Sequence, residues 1–453
     1  MLKETAPKLP PEELERNFAD INPPLSPSQA LEEGSRCLFC YDPPCQKACP
    51  TGIDVPMFIR QILTGNTKGS AKTILDANIL GHSCGRVCPT SVLCEGACVL
   101  NGEGKRPVLI GRLQRHAVDH VLNNNISLFT PGKPNGKRVA LIGGGPASLS
   151  CAFYLRREGY ETVILDAHAQ PGGLNTYGIA AYKMRASESV REVDMICKMG
   201  VTIKSGVQVG KDVELAQLEK DFDAIFIGVG LGDTETLGIQ GESLEGSMDA
   251  LTFIEQTKVK KFSDVTVGKR VAVIGGGNTA IDVATAAKRL GSEDVYMIYR
   301  RGREEMSAFD YEYDLAQADG VKFIWQTAPK RILGNGRVEA LECVRTELGA
   351  PDASGRRSPA AVAGSEFSLQ VDMVVRALGQ KKKADFLRSI SGLKLEGGKV
   401  SVTRETMQTA NPKYFAGGDC VSGAAEVVDA VADGKRAAVG IHAYLAGSRR
   451  AHA

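Results

Sequence analysis

The sequence predicts a multidomain chain in which a cysteine-rich α-helical front end precedes two α/β Rossmann-like halves, the second inserted into the first. Three observations predict it. Eight of the twelve cysteines fall between Cys37 and Cys98, an apolar strand runs into Gly143-x-Gly145-x-x-Ser148, and the same pattern recurs at Gly275-x-Gly277-x-x-Ala280. A chain of 453 residues exceeds what one core usually supports, so several domains are expected. The net charge of +2 gives no reason to expect nucleic acid or an acidic membrane as partner. MLKETAPKLPPEELERNF lacks the apolar run of an export signal, and Val139–Leu155 is too short and too broken by glycine and proline to span a bilayer, so a cytoplasmic protein is expected.

The front end, residues 1–128, reads as short helices around thiols. Ser28 is a candidate cap for a helix over Ala30–Ser35, Asp54 with Pro56 opens another, Ser70–Asp76 continues the pattern, and the segment from Val108 is amphipathic with Leu109, Leu113, Ala117 and Val118 on one side. The cysteine spacing is Cys37-x2-Cys40-x4-Cys45-x3-Cys49-Pro, then Cys84-x3-Cys88-Pro-x4-Cys94-x3-Cys98. A secreted disulfide scaffold would not crowd its pairs this way. Structural zinc prefers paired CxxC knuckles, often with histidine; widening steps and two Cys-Pro pairs fit iron–sulfur cubanes better. Eight thiolates support two [4Fe-4S] clusters, and spacing alone does not say which cysteines share one.

Residues 129–265 follow as the first part of an FAD domain. A short strand, the glycine turn, a helix to about Glu158 and a strand ending at Asp166 place a pyrophosphate on a helix N-terminus and a carboxylate near a ribose. Gly173 and Leu174, in the PGG turn and the stretch to Lys183, are expected beside the isoalloxazine, and Gly230 closes the strand from Ala224. Residues 266–379 repeat the plan for NAD(P)H, with Gly275, Gly277, Asn278 and Thr279 at the turn and Gly379 at the end of the insert. After its second strand this copy has Arg300, Arg301 and Arg303 instead of an acid, which suits a 2'-phosphate. The run Gly349–Gly364 reads as a loop or hairpin. Residues 380–453 return to the FAD domain with Gly418 and Asp419, and a helix from about Ala424 whose N-terminal dipole faces the flavin ring.

With CLFCYDPPCQKACPTGID, CGRVCPTSVLCEGAC, IGRLQRHA, GGGPASLSCA and the terminal GGDC…DGKRAA in place, the whole chain resembles the flavoprotein electron-input half of dihydropyrimidine dehydrogenases, a separate small subunit in bacteria. It is similar at greater distance to the small subunit of glutamate synthases. The resemblance implies one cluster on Cys37, Cys40, Cys45 and Cys98, and another on Cys49, Cys88, Cys94 and the side-chain oxygen of Gln114, with Cys84 left as a packing residue. It implies that NAD(P)H reduces FAD and that electrons pass through both clusters to a partner subunit carrying FMN and further clusters, where uracil or thymine is reduced. Hydride transfer by ring contact needs no catalytic side chain. The arginines favour NADPH while bacterial relatives are associated with NADH, so the expectation remains NAD(P). Three rival readings stand beside it: a glutamate synthase small subunit, a disulfide reductase, disfavoured because the flavoprotein part has no CxxC pair, and a non-catalytic iron–sulfur scaffold.

Overall fold

The computed structural model describes residues 2–351 and 357–447. Two compact units divide the chain. One comprises Asn22–Thr176, Lys183–Gly232 and Lys382–Ala453; the other comprises Met1–Ile21, Tyr177–Tyr182 and Asp233–Lys381.

In the first unit the cysteine-rich stretch folds as helices Pro27–Ser35, Val55–Leu63, Thr67–Ala77, Gly81–Val87 and Ile110–Asn123. Asp54 caps the second of these by accepting from Met57 N–H at 3.0 Å, as its position predicts. The cap of Pro27–Ser35 is Ser26, not Ser28. Pro27 occupies the first helical position, and Gln29 stands where its N–H meets the Ser26 hydroxyl while its side chain returns to the Ser26 N–H. The apolar faces of these helices, among them Phe58, Ile59, Ile74 and Leu113, join one continuous core with the strands that follow.

Those strands form a seven-stranded sheet. Arg138–Ile142 is an inner strand, paired in parallel with Glu161–Asp166 on one side and with the central strand Ala224–Ile227 on the other. Tyr414–Ala416 joins Ala224–Ile227 in parallel, so the chain's last part completes the sheet begun before the insert. All four residues of Ala224–Ile227 and four of five in Arg138–Ile142 are buried, as expected for parallel strands covered on both faces.

The other unit has a five-stranded parallel sheet in the order Ser247–Asp249, Met373–Arg376, Arg270–Ile274, Asp294–Ile298, Lys322–Ile324. The first 21 residues belong here rather than with the cysteines. Ala6 N–H donates to Val267 O at 2.9 Å, and the rings of Phe18 and Phe262 stack with centroids 4.0 Å apart. Strand Ala340–Pro351 pairs antiparallel with Arg357–Ala361, the two arms of a hairpin; residues 352–356 of the run read as a loop or hairpin lie outside the described residues. No helix among the described residues is long and apolar enough to cross a membrane.

Candidate flavin, nucleotide and iron–sulfur sites

In both the seven-stranded and the five-stranded sheet the strand order reverses at the strand that leads into a glycine turn, which opens a crevice at its carboxyl end. The first turn is held by close backbone approach. Gly143 has φ +91°, and a Cβ there would stand 2.6 Å from Gly228 O. The second turn repeats this, since a Cβ on Gly275 would stand 2.3 Å from Ala377 O. Gly145 and Gly277 are the N-caps of helices Pro146–Arg157 and Asn278–Arg289, and no side chain caps either helix. Their first N–H groups are therefore free of the capping oxygen that Ser26, Asp54 and Asp249 give to other helices, as a pyrophosphate site requires.

The remaining flavin candidates gather on the same unit. Ser148 is fully buried with its hydroxyl against Gly228, where a Cβ would stand 2.2 Å away, and that hydroxyl has no hydrogen-bond partner among the described residues. The buried Asp166 carboxylate accepts from Gly144 N–H at 2.8 Å and His168 N–H at 2.9 Å, so it braces the turn it follows. Gly172 and Gly173 both have positive φ, and Leu174, at the start of the short helix Leu174–Tyr177, is exposed. Gly230 has open space around its Cβ position. Gly418 N–H donates to Asp433 at 2.9 Å; Asp419 accepts from Ala425 N–H at 3.2 Å, and burial, with Asp429 and Asp433 nearby, raises its pKa to about 6. The final helix begins at Val427, three residues after the expected start.

At the nucleotide turn, Asn278 accepts from Phe309 N–H at 3.1 Å, Thr279 is exposed and Gly379 has open space around it. Of the three arginines, Arg303 is engaged, paired with Asp310 and lying 4.1 Å over the Tyr313 ring. Arg300 is exposed, and Arg301 Nε is buried with no hydrogen-bond partner among the described residues.

The structure brings together thiols that lie far apart in the sequence. Cys37, Cys40, Cys45 and Cys98 line one small cavity. Burial raises the pKa of Cys37 and takes Cys45 to about 11, with Cys98 adding to both shifts. The Cys84 side chain and burial hold the Cys88 thiol far above its ordinary range, with Cys94 and Cys49 adding to the shift; burial does the same for Cys94, with Glu95, Cys49 and Cys45 adding to it. Thiols crowded like this ionise together only around positive charge, which an iron–sulfur cubane supplies. Among the described residues no three His, Cys, Asp or Glu side chains converge on a single metal-ion position; a cubane instead asks for ligands around a box.

Gln114 is buried, and its amide nitrogen donates to Gly81 O at 2.8 Å, which orients the side chain against the helix that ends at Cys88. Cys84 is buried on that same helix, and its backbone O accepts from Cys88 N–H at 3.2 Å. Sequence reasoning passed over Thr51, whose hydroxyl is 3.2 Å from Cys49 Sγ, and the buried network of His82, Arg86, Asp119, Glu188 and Glu192. The network joins helix Gly81–Val87 to helix Ala186–Cys197 from more than a hundred residues away, and no local periodicity announces it. Cys151, Cys197, Cys343 and Cys420 are free thiols, not a redox pair.

Comparison with known proteins identifies the cysteine-rich stretch and the nucleotide-binding sheets separately. Residues 14–126 match the family described as dihydropyrimidine dehydrogenase domain II, 4Fe-4S cluster, and residues 137–434 match pyridine nucleotide-disulphide oxidoreductase. The chain is 37% identical to the glutamate synthase [NADPH] small chain of Escherichia coli (strain K12), over 97% of this chain and 96% of that one. It is 34% identical to the NAD-dependent dihydropyrimidine dehydrogenase subunit PreT of the same strain, over 96% and 99%. The solved structure of Mycobacterium tuberculosis FprA in complex with NADPH shares the fold, with TM-score 0.58 and 20% identity over 71% of this chain and 86% of that one. The chain belongs to the pyridine nucleotide-disulphide oxidoreductase family, as an NAD(P)H-dependent flavoprotein oxidoreductase whose nucleotide-binding sheets are joined to a 4Fe-4S domain of the dihydropyrimidine dehydrogenase type.

Proposed function

We propose that this chain is the electron-input subunit of a dihydropyrimidine dehydrogenase. In this reading the unit made of Asn22–Thr176, Lys183–Gly232 and Lys382–Ala453 holds FAD on its sheet and two [4Fe-4S] clusters on its helical segment 22–128, not 1–128 as the sequence suggested, with ligands Cys37, Cys40, Cys45 and Cys98 for one cluster and Cys49, Cys88, Cys94 and Gln114 for the other; NAD(P)H is held by the other unit, whose main segment begins at Asp233 and not at residue 266. When bound, the flavin converts a two-electron donor into one-electron steps and the clusters relay single electrons onward.

The chain's own residues bind and orient. The uncapped helix N-termini behind Gly145 and Gly277 take the pyrophosphates, and Arg300 and Arg301 offer guanidinium groups to a 2'-phosphate. Ring contact suffices for hydride transfer, so no side chain has to move a proton. The electrons are accepted by an FMN- and iron–sulfur-bearing partner in the cytoplasm, which reduces uracil or thymine to the 5,6-dihydro form.

Gln114 carries the choice of the pyrimidine group. With its nitrogen tied to Gly81 O, its oxygen is the end left to offer a cluster, next to the helix that delivers Cys88. The 37% identity to a glutamate synthase small chain favours a second reading, in which the same internal chemistry feeds glutamate synthesis. The native complex, isolated anaerobically, separates them: NAD(P)H oxidation coupled to uracil supports the first, and coupling only to glutamine plus 2-oxoglutarate replaces it with the second. Failure of NAD(P)H to bleach stoichiometric FAD would leave the non-catalytic scaffold.

A further inference from the structure

Helix Val427–Gly447 packs on helix Pro146–Arg157 so tightly that a Cβ on Gly434 would stand 2.1 Å from Ala147 O. The next residue, Lys435, is half-buried and reaches the cysteine-rich helices. Its ammonium donates to Ala77 O at 3.0 Å and to Thr51 O at 3.5 Å. Thr51 is buried, and its hydroxyl lies 3.2 Å from Cys49 Sγ. Two other charges act on Lys435, Asp76 and Arg157, and they are paired with each other at 2.7 Å. Asp76 and Arg157 are thus occupied with one another, while Lys435 is a cation hydrogen-bonded to Thr51, the residue whose hydroxyl meets Cys49 Sγ.

We propose that Lys435 is a redox-tuning residue for the cluster that uses Cys49, a role that rests on the two-cluster reading above. Reduction adds one electron and one unit of negative charge to that cluster; Lys435 keeps its proton throughout, and no bond is made or broken. A fixed cation and a hydroxyl on the ligand sulfur both favour the reduced form. The helix that packs against the flavin turn thereby also makes the neighbouring cluster a better acceptor for the flavin's electrons. The competing role is a strap, in which Lys435 only ties the last helix to two carbonyls.

Lys435→Gln separates the two, because glutamine keeps an N–H donor for those carbonyls and removes the charge. The measurement is an anaerobic redox titration of the FAD- and iron-loaded chain, followed by paramagnetic resonance, for wild type, Lys435→Gln and Lys435→Arg. In Lys435→Gln the reduced-to-oxidised ratio of one cluster at the wild-type midpoint should fall about tenfold, equivalent to about 59 mV for one electron. The cluster assigned to Cys37, Cys40, Cys45 and Cys98 should stay in place, and Lys435→Arg should titrate like wild type. A fully loaded Lys435→Gln protein with both midpoints unmoved, or with both moved equally, overturns the proposal. So does a variant that loses half its iron, which would make Lys435 a strap. A wild-type protein with a single cluster signal would instead bring down the two-cluster reading.

Discussion

Replacing His82 with glutamine tests how the cluster-bearing helix is held to the flavin side of its unit. His82 is fully buried, with Nε2 2.7 Å from Glu188 and Nδ1 3.1 Å from Asp119. Arg86 Nη1 is 3.0 Å from the same Nδ1, which cannot both donate to Asp119 and accept from Arg86. Two carboxylates decide for the doubly protonated ring, and Arg86 finds its acceptors in His82 O, Asp119 and Glu188. Burial alone would lower the His82 pKa, but those carboxylates hold it above the ordinary value. Hydrogen bonding to His82 takes Glu188 down to about 2.

Removing one partner from a buried charge network costs about 3–5 kcal/mol. Because Glu188 and Asp119 retain some solvent access, the lower end, about 3 kcal/mol, is expected here. The pH dependence has a definite sign. The folded state keeps a proton that the unfolded state releases above about 6.5, so stability is full below that value and falls with rising pH, by up to about 1.4 kcal/mol per unit. The Glu188 contribution runs the other way, present above about 4.5 and fading as pH falls towards 2. Urea unfolding at pH 6 to 9, read by circular dichroism and flavin release, should therefore give His82→Gln a deficit that is largest near pH 6 and narrows as pH rises. A deficit that stays constant with pH would refute a charged His82.

Cys45→Ser and Cys49→Ser should each damage a different cluster by paramagnetic resonance, although the two residues are four apart; loss from one cluster in both variants would end the interleaved assignment. Arg300→Ala combined with Arg301→Ala should weaken NADPH binding about 10- to 100-fold, the worth of one charge-assisted contact, and leave NADH binding unchanged; equal loss for both nucleotides would count against a phosphate clamp. Gly434→Ala should cost about 1–2 kcal/mol net, since overpacking against Ala147 O, at the upper end of about 1–3 kcal/mol, outweighs alanine's helix preference of about 1 kcal/mol, and earlier flavin release on heating would register it.

Both glycine turns were legible because a tight turn between an apolar strand and a helix is a local demand, written within about thirty residues. The grouping of Cys98 with Cys37, Cys40 and Cys45 was not legible from spacing, because the chain returns to the first thiols only after three further α-helices have packed. Resemblance supplied that grouping where spacing left it open. Lys435 and Thr51 meet across 384 residues, and the His82 network spans more than a hundred; neither leaves a periodic trace. The Ser26 cap was legible in principle, through Pro27 at the first helical position and Gln29 at the third, but the nearer hydroxyl of Ser28 competes for the same role.

In the proposed reading, the division of the molecule matches what each cofactor has to do. Electron tunnelling weakens exponentially with distance, so a flavin and the clusters it feeds work best on one rigid body. Here the cysteine-rich helices and the sheet around Arg138–Ile142 share a single core, from Phe58 and Leu113 through Leu141 to Ile441. The His82 network and Lys435 add polar ties between the same partners. A nicotinamide nucleotide has to enter and leave at every turnover, and the sheet around Arg270–Ile274 has separate cores and forms a separate compact unit. In the proposed reading, fixed distance is thus built into the unit that relays single electrons, while the unit for the exchangeable substrate keeps cores of its own, completed by the first 21 residues and Tyr177–Tyr182.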